Sequence, residues 1–99
     1  MKVTEVLLEW GTDPNAQDNN NNTALHFALG CRRVEVAEIL LDRGADPNAR
    51  NNDTTIPLHF ASGGLHPKIV RMLLDRGADV NARDMNYRTP LHCALQPVL

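Results

Sequence analysis

The stretch "RGADPNAR", Arg43 to Arg50, returns 33 residues later as "RGADVNAR", Arg76 to Arg83, with seven of eight letters unchanged. A looser copy, "WGTDPNAQ", runs from Trp10 to Gln17. The same offset aligns much more than these phrases. Leu7-Leu8, Leu40-Leu41 and Leu73-Leu74 fall in register, and so do Leu25-His26, Leu58-His59 and Leu91-His92. Ala28, Ala61 and Ala94 follow the latter set. A strict period without insertions marks stacked copies of one supersecondary unit.

Each copy reads as two helices and a turn. Val36, Ala37, Leu40 and Leu41 form one apolar stripe at helical spacing, repeated by Ile69, Val70, Leu73 and Leu74 and by Val3, Thr4, Leu7 and Leu8. Charged residues between them give each helix a wet face. The stripes end at Gly11, Gly44 and Gly77, where the chain is expected to turn with positive φ. "ADPNA" and "ADVNA" then read as tight turns, with Asp and Asn bonding to nearby backbone. A shorter helix follows in "TALHFAL" and "TPLHCAL", with Thr23 and Thr89 placed as N-caps and Pro90 at the first helical position. Helices this short are not stable alone, so the copies must stack. The turn phrase recurs because each added unit needs the same geometry.

The chain resembles the ankyrin repeat family. "TPLHCA", Thr89 to Ala94, matches the family pattern T-P-L-H-x-A in full, and "TALHFA" and "IPLHFA" each miss one letter. The resemblance covers essentially the whole chain. It implies an all-α repeat solenoid of stacked helix pairs with short β-hairpin or turn fingers. We read residues 1–99 as a single domain: 1–22 the second helix and finger of a partial repeat, 23–55 and 56–88 whole repeats, and 89–99 the first helix of a truncated repeat.

Departures from the family pattern set further expectations. Asn21, Thr54 and Tyr87 stand where the family usually has a finger glycine, so the finger around Tyr87 is expected to differ in shape. Arg32 and Leu65 replace a second usual glycine, with Gly30 and Gly63-Gly64 expected to take over the turn. Ile56 replaces the capping Thr, a loss of about 1 kcal/mol that Thr55 offsets in part, so Ile56→Thr is expected to stabilise. Val3, Val6, Leu7, Leu91, Leu95, Val98 and Leu99 are expected to lie partly bare at the ends, inviting self-association or marking a piece of a longer solenoid.

Composition excludes several functions. A net charge of −2 leaves no basic footprint for nucleic acid or for a membrane surface. The longest apolar runs are far short of the ~20 residues that span a bilayer. Cys31 and Cys93, nearly two repeats apart in a stack, are too distant for a disulfide, so both read as reduced, core-filling thiols of an intracellular, cytoplasmic or nuclear protein. His26, His59 and His92 form a ladder whose rungs cannot converge on one metal, so they read as helix-start hydrogen bonders; His66 reads as a turn residue. Translation also spreads Asp13, Asp46 and Asp79 along a line, which no catalytic constellation uses. We expect no enzyme, no cofactor and no metal.

Function should then sit where the copies differ, at the finger tips "QDNNNN", "RNNDTT" and "RDMNYR". The resemblance implies that these tips lie on a concave face that binds another protein. Met85, Tyr87 and Arg88 are the expected contact residues, with Asn52, Asp53, Thr55 and Asn86 as polar rim. Trp10 is a further candidate, or a cover for the first unit's open side. The leading expectation is a non-enzymatic binding module such as an adaptor or scaffold; the alternative is a structural spacer. The resemblance also implies a third reading, hydroxylation of a turn Asn (Asn15, Asn48 or Asn81) by an intracellular asparaginyl hydroxylase.

Overall fold

The computed structural model describes residues 3–64 and 67–95. Its helices are α1 (Val3–Glu9), α2 (Ala24–Gly30), α3 (Val34–Asp42), α4 (Pro57–Ser62), α5 (Pro67–Asp75) and α6 (Pro90–Ala94). The short helices α2, α4 and α6 pack side by side in one layer, and α3 against α5 in the other. Within a unit, α2 packs on α3 and α4 on α5. No strand is present among the described residues.

The expected helical stripes point inward. Ala37, Leu40 and Leu41 of α3 and Ile69 and Leu73 of α5 are buried against Leu25, Leu29 and Leu58 from the other layer. Small Ala28 and Ala61 lie inside this cluster and let the layers approach. Helix α1 carries the same stripe but buries none of its residues. Of its hydrophobic side chains, Leu8 alone packs against the core.

The helix stops are as expected: Gly11, Gly44 and Gly77 take φ of 87°, 92° and 89°. The loop after α2 is not. Gly30 stays within the helix, and Arg32 itself adopts φ 59°. After α4 a glycine does take over, Gly64 at φ 116°. Leu65 and His66 lie outside the described residues, as do Val98 and Leu99.

Side chains bridge adjacent units through the turn asparagines. The amide of Asn15 donates to the Gly44 carbonyl at 3.0 Å and accepts from the Asp46 N–H at 2.6 Å. Asn48 repeats this with Gly77 (2.9 Å) and Asp79 (2.7 Å). On the helix layer, Arg76 of the second unit pairs with Asp42 at 2.6 Å and donates to the Leu41 carbonyl, neutralising the negative end of α3.

The short helices start as the Thr–His pattern requires. The Thr23 hydroxyl accepts the His26 N–H, and the His26 Nδ1 accepts the Thr23 N–H at 3.0 Å. Thr89 and His92 do the same. At Ile56 half of this box survives, its N–H donating to the His59 Nδ1 at 3.1 Å. Thr55 does not fill the missing half, because its hydroxyl turns to the Asp53 carbonyl. Ile56 is only 1% exposed and lies in the core, so its burial offsets the absent cap. This reverses the sign expected for Ile56→Thr.

Both cysteines are free, but neither belongs to the core: Cys31 is exposed and Cys93 half-buried, its thiol pushed up by burial. Trp10 is exposed and covers nothing. Val3, Val6, Leu7, Leu91 and Leu95 are bare, as expected.

Candidate functional site

Each finger begins at an Asx residue, and that residue builds it. Oδ1 of Asp84 accepts the N–H groups of Asn86 (2.8 Å) and Arg88 (2.9 Å), while its Oδ2 pairs with the Arg88 Nε at 3.0 Å. Asp18 and Asn51 accept the equivalent pairs of N–H groups in the first two fingers. The backbone closes the same turn each time, through Asn21, Thr54 or Tyr87 donating three residues back. A three-residue hairpin of this kind needs a left-handed residue at its end. Asn21, Thr54 and Tyr87 supply it at φ of 60°, 58° and 62°. The finger around Tyr87 therefore keeps the common shape, contrary to expectation, because the Asp84 carboxylate fixes the turn without a glycine.

Neighbouring fingers are sewn together. The Asn52 N–H donates to the Asn20 carbonyl and the Met85 N–H to the Asp53 carbonyl, both at 2.9 Å. The Asn21 amide donates to Asn52 Oδ1, and the Asn51 amide to Asn22 Oδ1. The asparagine run is thus a solvent-exposed tip that also forms a seam with the next finger.

The histidines lock the fingers from below. With Nδ1 accepting from backbone, the proton sits on Nε2, which donates forward to the next unit. His26 reaches the Thr55 carbonyl at 2.9 Å, and His59 reaches Arg88 at 2.9 Å and Ala82 at 3.1 Å. Burial pushes the His26 imidazole below its ordinary 6.5, against the upward pull of the Thr55 and Ala49 carbonyls and Asp18. For Asp84, burial alone would raise the carboxyl; the Arg88 and Asn86 N–H groups and the Arg88 guanidinium outweigh it and hold it below 3.8. Asp84 stays charged in the finger at neutral pH.

On this rigid base the third finger differs from the others. Asp53, Thr55, Asp84, Met85, Asn86 and Arg88 line a shallow groove of about 160 Å³ between two fingers. Five of the expected contact residues meet there. Met85 and Tyr87 are 60% and 75% exposed beside it. Asn52 belongs instead to the seam with the first finger. Arg88 has a second duty: its Nε pairs with Asp84 and its carbonyl accepts from His59, so it also shapes the finger. Sequence reading missed Asp84, Asp18 and Asn51, although Asx at one place in every period was the available signal.

Two family models match the chain. One, ankyrin repeats in many copies, covers residues 7–61; the other, a single ankyrin repeat, covers residues 55–85. The chain belongs to the ankyrin repeat family. No curated protein matches it. Ankyrin repeats are generally protein–protein interaction modules without enzymatic activity. Among the described residues no cluster of His, Cys, Asp or Glu could hold a metal ion, and no helix is long and apolar enough to cross a membrane.

Proposed function

We propose that this ankyrin domain binds a partner protein through the third finger, with Met85 and Tyr87 as the main contacts and Asp53, Thr55 and Asn86 as polar rim. The observation that carries this reading is the pairing of two exposed, adaptable apolar side chains with a backbone held by Asp84, His59 and Asp53. A contact residue on a fixed backbone loses little conformational freedom on binding. Asn52 and Arg88 support the surface by positioning the fingers. The test is affinity capture comparing wild type with a Met85→Ala, Tyr87→Ala variant, whose side chains are not part of the finger's hydrogen bonding. A protein retained by the first and lost by the second supports the reading. Equal capture by both moves the contact elsewhere, and no specific capture favours the spacer reading.

A second reading, hydroxylation of a turn asparagine, narrows to one residue. The amides of Asn15 and Asn48 are engaged on both sides, whereas the Asn81 amide has no partner among the described residues. Mass spectrometry of the peptide carrying Asn81 for one added oxygen tests it. Oxygen found on Asn15 or Asn48 in preference to Asn81 would reverse the assignment.

A further inference from the structure

The groove between the second and third fingers holds two opposite charges that do not meet. Asp53 lines it from one finger and Arg88 from the other. Asp53 is solvent-exposed, and its finger uses only its N–H and its carbonyl; among the described residues nothing donates to its carboxylate. Arg88 pairs with Asp84 through Nε, but its two terminal nitrogens have no bond among the described residues, and its side chain is still 43% exposed. Asp84, by contrast, has both oxygens occupied by donors of its own finger. Arg50 and Arg83 open the two fingers and do not line the groove. What remains is one wall that only accepts and one that only donates.

We propose that this groove takes an uncharged carboxamide side chain, a glutamine or asparagine of the partner, whose NH2 donates to Asp53 and whose oxygen accepts from Arg88. The inference rests on the reading of the third finger as a protein contact and names what the partner brings to it. A carboxylate has no donor and a guanidinium no acceptor. A partner lysine or arginine would satisfy Asp53 and set like charge against Arg88; a partner carboxylate would do the reverse. A carboxamide carries donor and acceptor on one planar group and meets both walls without adding charge. It also leaves water at less cost than an ion. Size points the same way. The groove's volume of about 160 Å³ is well below the roughly 300–1,000 Å³ of a small-molecule pocket, so it admits a single side chain. The neighbouring residues of the partner's segment then lie on Met85 and Tyr87, both exposed beside the groove.

A library of random capped peptides, selected on the immobilised protein, tests this. Wild type is expected to enrich glutamine or asparagine at one fixed position. A selected peptide remade with lysine or glutamate at that position should bind about tenfold more weakly, the effect of losing one hydrogen bond to a charged group. Asp53→Lys makes both walls donors, so its selection should turn to aspartate or glutamate. The Asp53 side chain is exposed and bonds nothing in the finger, so circular dichroism should show this variant folded as wild type. Enrichment of a charged residue by wild type overturns the proposal. So does enrichment without a fixed carboxamide, no enrichment at all, or a selection that Asp53→Lys leaves unchanged. The selected peptides are also measured on the Met85→Ala, Tyr87→Ala variant. Peptides that lose binding there but need no carboxamide sink this inference and leave the finger contact standing. Peptides that bind that variant as tightly as wild type overturn the finger contact instead.

Discussion

Replacing Thr54 by glycine should make the protein more stable. Thr54 ends the second finger at φ 58°, a conformation that suits glycine and is poorest for a β-branched residue. The left-handed region costs an L-residue roughly 1–2 kcal/mol. Thr54 is half-buried, and its hydroxyl holds no hydrogen bond among the described residues, so little else is lost. Glycine in turn gives the unfolded chain extra freedom, an opposing effect of about 0.4–1 kcal/mol. The net expectation is a gain of about 1 kcal/mol, or roughly 4–8 °C in melting temperature for a domain of this size. Asn21 occupies the same place at φ 60°, which asparagine tolerates, and its amide bonds Asn52, so Asn21→Gly should bring no gain and a small loss. The assay is thermal unfolding by circular dichroism, supported by urea midpoints with an unchanged m value. A melting temperature that stays put or falls in Thr54→Gly would refute the strain reasoning. So would an equal gain in Asn21→Gly, because the effect would then not follow the side chain.

Acid should weaken the fold in two stages. The folded His26 pKa lies below 6.5, so its stabilisation is complete above that value and is lost as pH falls through the folded one. Guanidinium midpoints should drop as the pH falls below the ordinary histidine value of 6.5, and His26→Gln should flatten that slope. Asp84, held below 3.8, contributes fully above that value and is lost only in stronger acid, a stage that Asp84→Asn should remove. Asn48→Ala should cost about 1–3 kcal/mol more than Asn81→Ala in chemical denaturation of dilute protein, because only Asn48 bridges two backbone groups within the chain. Ile56→Thr should lower the melting temperature: about 1.6 kcal/mol of buried hydrocarbon is lost, against about 1 kcal/mol for a restored cap.

The helices, their stops and the Thr–His starts could be read from the sequence because they are local and repeat every 33 residues. The helix stripe at Leu40-Leu41 and the stop at Gly44 need no knowledge of what lies across the stack. The fingers were harder. Whether Tyr87 could hold a left-handed turn depended on the Asp84 carboxylate and on His59, which reaches its target from 29 residues upstream. No local pattern reports such a bond. Arg88 shows the same gap: composition marks arginine as a binder, and only geometry shows that its Nε also pairs with Asp84 and helps build the finger. Ile56 read as a missing cap because the sequence displays the absent hydroxyl and not the apolar surroundings that replace it.

The forward bonds of His26, His59, Asn15 and Asn48 all end on main-chain atoms. A carbonyl or an N–H is the same whatever side chain its residue carries. His26 meets threonine at position 55 and His59 meets arginine at position 88, with the same 2.9 Å bond in both. At these four bonds the joint between units is blind to the identity of the receiving residue. A tip residue outside the Asn21–Asn52 and Asn51–Asn22 seam and the Asx turns, such as Met85 or Tyr87, can therefore be rewritten without renegotiating the histidine and asparagine joint beneath it.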